Sequence, residues 1–138
     1  MESGQAYISQ ATLLTPAEVT AYRHLMRLYG DTVAIFCKVR VADVITPDTR
    51  RHAKHSREFA SLFRQISQWH LDFVLVDPGS FKILCALELD DSSHQRPDRQ
   101  KRDRILNSAF LNAGVRLERL TLQGGGLKAE PITNSASP

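Results

Sequence analysis

The run Leu71-Asp72-Phe73-Val74-Leu75-Val76 constrains the fold more than any other part of the chain. It is apolar without polar alternation except at Asp72, the pattern of a strand covered on both faces rather than one lying on a wet surface. Asp77-Pro78-Gly79-Ser80 is a turn signature, and Phe81 to Leu89 is apolar again, so the two runs are expected to form an antiparallel hairpin. A hairpin strand buried from both sides needs helices above and below it, and the flanking sequence carries them.

Thr15-Pro16-Ala17-Glu18 opens the first helix: threonine as N-cap, proline in the first turn, and glutamate three residues after the cap to close a capping box. Val19, Tyr22, Leu25, Met26 and Tyr29 form its apolar stripe, and Gly30 stops it. Val33 to Val41 is rich in β-branched residues and reads as a strand; a basic, polar loop and a short helix carrying Phe59, Leu62, Phe63 and Ile66 follow. Pro97-Asp98 starts a long helix with the stripe Arg102, Ile105, Leu106, Ala109, Phe110 and Ala113, stopped at Gly114, and Val115 to Leu122 is a last strand. The predicted order is helix, strand, short helix, strand, strand, helix, strand, an α/β fold of the α+β kind with one mixed sheet. Residues 1–14 read as a loose N-terminal segment, 15–122 as the domain, and the Gly-, Ser- and Pro-rich stretch 123–138 as a disordered tail able to recruit a protein partner.

With 138 residues, 42% of them hydrophobic, the chain supports one moderate core. No apolar run approaches a membrane span and the first residues lack a signal-peptide pattern, so the expected location is the cytoplasm, with no membrane partner. Cys37 and Cys85 fall within strand patterns and read as buried free thiols. Thirteen of the eighteen basic residues are arginine, the side chain suited to bidentate phosphate contacts. They cluster at Arg50, Arg51, His52, Lys54, His55 and Arg57, and again at Arg96, Arg99, Lys101, Arg102 and Arg104. Such clusters are either solvated faces or phosphate-facing surface.

Carboxylates gather where the hairpin ends. Asp72 shares a side with Val74 and Val76, while Ala86, Glu88 and Asp90 share a side of the returning strand. An odd-numbered connection puts Asp72 opposite Ala86 and Glu88 on the diagonal; an even one sends the acids to opposite faces. Carboxylates converging in apolar surroundings call for a cation, and magnesium suits a shell completed by one or two carboxylates, the Leu89 carbonyl, waters and substrate phosphate. The plainer alternative is a structural hydrogen bond at Asp72 and a solvated strand end at Glu88 and Asp90.

The pattern Asp72-Phe73, Glu88-Leu89-Asp90-Asp91-Ser92-Ser93-His94, Arg102-Asp103, Gly114 and Leu117-Glu118-Arg119-Leu120, with Leu13 to Glu18 and Lys38 to Asp43 ahead of it, resembles a bacterial family of unknown function in the PD-(D/E)XK, restriction-endonuclease-like superfamily. It is similar in layout to the very short patch repair endonucleases. The resemblance implies a restriction-endonuclease-like core that hydrolyses phosphodiester bonds in DNA, with magnesium, or manganese in its place, on Asp72, Glu88 and Asp90. Asp90 stands where the superfamily has a lysine, so the resemblance offers His94 as general acid or base and Lys101 as a displaced lysine. Glu18 reads as the capping glutamate and Asp103 as an intrahelical ion-pair partner of Arg99; the resemblance offers Glu18 instead as a first-helix acid near the site and Asp103 as a residue holding His94 or Arg102. Arg50, Arg51, Lys54, Arg57, Arg96, Arg99, Lys101 and Arg102 are the expected nucleic-acid contacts. The alternative is a non-cleaving nucleic-acid-binding module that keeps the fold without the lysine.

Overall fold

A computed structural model describes residues 6–90, 97–124 and 126–131. The chain runs through α1 (Pro16–Tyr29), β1 (Ala34–Arg40), a 3-10 turn (Val41–Asp43), α2 (Arg57–Ser67), β2 (His70–Val76), β3 (Ile83–Leu89), α3 (Pro97–Ala113), β4 (Leu117–Gln123) and β5 (Gly126–Pro131). The strands lie in sequence order in one five-stranded mixed sheet. β1, β2 and β3 form an antiparallel meander, β4 joins β3 in parallel, and β5 folds back antiparallel on β4. Only the parallel step needs a crossover, and α3 supplies it.

Both faces of the hairpin are covered, as the unbroken apolar run requires. On one face Val74, Val76 and Ala86 pack with Ile66 of α2 and Leu106 and Phe110 of α3. On the other, Phe73, Leu75, Cys85 and Leu87 pack with Ala21 and Leu25 of α1. The α1 N-terminus forms the expected capping box: Thr15 Oγ1 accepts from the Glu18 N–H at 3.2 Å while Glu18 Oε1 accepts from the Thr15 N–H at 2.8 Å. Such caps contribute about 1 kcal/mol. Both cysteines are free thiols; Cys85 is buried and Cys37 half-buried.

The sheet is wider than expected. Gly126–Pro131 adds a fifth strand within the stretch predicted to be disordered, so the folded part continues past Leu122. Composition misled because Gly124, at φ +51°, serves a turn that lets β5 cover the edge of β4. Residues 132–138 lie outside the described residues, as do His94 and Arg96. Among the described residues no helix is long and apolar enough to cross a membrane.

Candidate functional site

The connection between β2 and β3 spans residues 77–82, an even number, which by itself would send Asp72 and Glu88 to opposite faces. A bulge reverses that. Val76 faces Ile83, but Leu75 faces Cys85, so Leu84 is the extra residue on β3 and the register from there on shifts by one. Val74 then faces Ala86, Phe73 faces Leu87, and the same register carries Asp72 to a position directly across from Glu88. The expected pairing of Asp72 with Ala86 is corrected by two residues, and the acids are direct neighbours rather than diagonal ones.

The two carboxylates stitch together the end of the hairpin. Leu89 N–H donates to Asp72 Oδ2 at 2.7 Å, and Asp72 N–H donates to Glu88 Oε2 at 3.3 Å. Each acid thus occupies a main-chain donor on the opposite strand. Glu88 is 4% exposed. Burial is the main cause that pushes its pKa up, to about 7; the negative charge of Asp72 adds to the rise and Arg102 opposes it.

Arg102 is the departure from expectation with the largest consequence. Predicted to face nucleic acid, it is buried at 8% exposure, with NH1 2.6 Å from Glu88 Oε1 and 3.2 Å from Asp103 Oδ1. Its NH2 donates to the His70 carbonyl at 3.1 Å, and its guanidinium lies 5.9 Å from the centre of the Trp69 ring. The reason is helical phase: Arg102, Leu106 and Phe110 recur every four residues on the face that α3 turns to the sheet. The Glu88 Oε1–guanidinium contact is a close ion pair, and the charge and hydrogen bond of Arg102 both work to hold the Glu88 pKa down.

The charges continue as a chain. Asp103 Oδ2 lies 3.5 Å from Arg119 NH2, and Arg119 Nε lies 4.0 Å from Asp90 Oδ1. Arg119 is the β4 residue in register with Glu88. Asp90, Arg119, Asp103, Arg102 and Glu88 therefore alternate in sign, and Asp72 adds a fourth acid to the row. Asp90 is accordingly corrected from a partner of the two hairpin acids to a partner of Arg119; its N–H extends the β3–β4 ladder to the Leu120 carbonyl at 2.7 Å. Among the described residues no three His, Cys, Asp or Glu side chains are grouped as a metal enclosure.

Lys38 completes the row on the other side. It falls between the pairs Cys37–Phe73 and Val39–Leu71, hence across from Asp72, and takes φ +56°, rare for a residue with a side chain. Its Nζ lies 3.8 Å from Glu18 Oε1. Glu18 is therefore the capping glutamate and the partner of Lys38, on the face covered by α1, and not an acid beside Glu88.

The remaining basic residues divide by location. Arg51, Lys54 and Arg57 are exposed, and Arg50 is exposed but chelated by Asp48 at 3.1 Å. Arg50, Arg51 and Arg104 line a cleft of about 870 Å³ bounded by α2, α3 and the loop ahead of α2. Arg99 and Lys101 line a smaller one of about 450 Å³ beside Trp69 and Arg102. Among the described residues no ion pair joins Lys101 to Asp72 or Glu88. The sequence pattern puts Arg102 on the correct helix face while its charge suggests a surface contact, and it assigns no role to Lys38 or Arg119. The signals for the two arginines are the phase of Arg102 with Leu106 and the register of Arg119 with Glu88.

A family model described as "Protein of unknown function (DUF2726)" matches residues 10–130. The chain belongs to this family. No curated protein and no solved structure matches it. In this DUF2726 chain the match spans every structural element except the last residue of β5.

The donor set of the DUF2726 site can be tested against a divalent ion. Among the described residues of the row, four carboxylates and two guanidiniums, all ionised, leave a surplus of two negative charges, and burial already holds the Glu88 proton on to about pH 7. A hard dication relieves that surplus, and magnesium uses one or two carboxylates with waters. Asp72 and Glu88 are the residues that would hold such an ion; Asp90, turned to Arg119, would not join them.

Proposed function

We propose that the domain hydrolyses phosphodiester bonds in DNA, with Mg²⁺, or Mn²⁺ in its place, held by Asp72 and Glu88. The observation that carries this reading is the direct opposition of two acids on adjacent strands, one of them buried. The element order supports it: a helix, a three-stranded antiparallel meander, a crossover helix and a parallel fourth strand resemble the restriction-endonuclease-like core, with α2 inserted. A metal bound there supplies a water of lowered pKa and offsets charge on the scissile phosphate.

The chain's own residues then have distinct duties. Asp72 and Glu88 bind the ion and brace the hairpin end through the Leu89 and Asp72 amides. Arg102 fixes the rotamer of Glu88 and puts the nearest cation beside it, a charge that Asp90 cannot provide at the position where the superfamily has lysine. Asp103 and Arg119 hold Arg102 in turn. His94 remains the proposed general acid or base.

The test is cleavage of nicked, mismatched, single-stranded and supercoiled DNA with magnesium or manganese by the parent chain and by Asp72→Asn and Glu88→Gln. A fall of at least about a hundredfold in both variants is expected. Equal cutting by all three proteins sinks the proposal. A second reading, a binding module without turnover, is favoured by one observation: Arg102 and two amides already engage the carboxylates. DNA binding that is salt-sensitive, indifferent to magnesium and to Asp72→Asn, and without cleavage selects it.

A further inference from the structure

The two clefts are parts of one groove. Gln65 of α2 and Ile105 of α3 line both, so the larger cleft opens into the smaller along the seam between these helices. The larger end is cationic through Arg50, Arg51 and Arg104, against a single acid, Asp48, which Arg50 neutralises. The smaller end is cationic through Arg99 and Lys101, against Asp98. Its inner wall is Trp69 and Arg102, and Arg102 is the residue in contact with Glu88. Between the charges the groove offers Ile45, Leu62, Ile66 and Ile105, with the amides of Gln65 and Gln68.

A cationic rim, an apolar floor, amide groups and an aromatic ring suit a chain that carries phosphates on one side and flat, hydrogen-bonding rings on the other. Volumes of about 870 and 450 Å³ are those of pockets that enclose one small-molecule unit, hence a nucleotide or two in each. A seam between two helices of one domain admits a strand and not a double helix. We propose that the α2–α3 groove seats single-stranded nucleic acid, its phosphates running from Arg51 and Arg104 to Arg99 and Lys101 and a base stacking at Trp69. The inference rests on the nuclease reading for its purpose, since the groove ends one residue away from the carboxylate pair. It does not rest on that reading for binding itself.

Trp69 is the chain's single tryptophan and reports on the inner end of the groove. The full chain is titrated in EDTA with a twelve-nucleotide oligothymidylate, following tryptophan emission and, with a labelled oligomer, anisotropy; the matching duplex serves as competitor. Expected are quenching and anisotropy that saturate together, and a preference for the strand over the duplex. Neutralising two exposed positions in R51Q/R104Q is expected to weaken binding at least about tenfold and to lower the log–log salt slope by about 1.4. A control R23Q/R27Q, on α1 across the sheet, is expected to bind as the parent does, with far-UV circular dichroism confirming the fold of each variant. Wild-type affinity in R51Q/R104Q, anisotropy without a change in Trp69 emission, or preference for the duplex overturns the groove. Strand binding retained by Asp72→Asn while neither protein cleaves supports the groove and removes the nuclease reading. DNA cleavage that R51Q/R104Q leaves unchanged does the reverse.

Discussion

Replacing Arg102 by Met tests the buried charge network directly. Methionine keeps an unbranched stem on the helix face shared with Leu106 and removes the guanidinium from Glu88, Asp103 and the His70 carbonyl. In the parent, burial lifts the Glu88 pKa from 4.5 to about 7, so the stability this group contributes is complete below about pH 4.5 and is lost as pH rises through about 7. At about 1.4 kcal/mol per pH unit the loss comes to about 3 kcal/mol. Arg102 is what limits the rise, so its removal pushes the Glu88 pKa higher still and extends the loss to higher pH. At pH 5 both proteins hold Glu88 protonated, and R102M is expected to cost about 2 kcal/mol, from the lost contacts to the His70 carbonyl and to Asp103. At pH 8 the variant buries an uncompensated carboxylate or takes up a proton against the solution, an expected cost of about 3–5 kcal/mol. For a chain of this size that lowers the melting temperature by about 10–15 °C. Urea unfolding followed by far-UV circular dichroism in EDTA, at both pH values, reads the difference. Equal destabilisation at pH 5 and pH 8, or a loss below about 1 kcal/mol at pH 8, would falsify the assignment of Arg102 as the counterion of Glu88. The double variant E88Q/R102M is expected to recover most of the pH 8 loss, since the buried charge is then gone.

Two further outcomes follow from local geometry. Gly114 stands at φ +73°, and a methyl group added at its α-carbon would meet nothing within 4 Å, so Gly114→Ala is expected to lose about 1 kcal/mol of stability, measured by urea unfolding, from backbone strain alone. Burial, with a hydrogen bond to Glu118, pushes the Cys85 thiol up to about 12; in a Cys37→Ser background an aromatic disulfide reagent at pH 8 is expected to react only as fast as the chain unfolds, and rapid reaction of the folded protein would contradict that burial.

What was legible in the sequence was what local chemistry decides. Thr15 and Glu18 close their capping box within four residues, and the apolar run of β2 states that both its faces are covered wherever its partners come from. Long-range pairing was not legible in the same way. A stretch rich in glycine and ending in proline reads as disorder until β4 offers it an edge, and then Gly126–Pro131 pairs along its length. Arg102 carried two signals in conflict, a charge that says surface and a phase with Leu106 and Phe110 that says core; the phase prevailed because Glu88, Asp103 and the His70 carbonyl wait at the same depth. The candidate site depends on the least legible feature of all. Six connecting residues put Asp72 and Glu88 on opposite faces, and the single extra residue Leu84 returns them to one. No local propensity marks Leu84 as a bulge: it is an exposed leucine, and it is selected because the register without a bulge would set Leu84 across from Leu75 and turn Cys85, Leu87 and Leu89 out of the α1 core. The hydrophobic pattern of β3 thus sets the register, and the register in turn brings the two acids together.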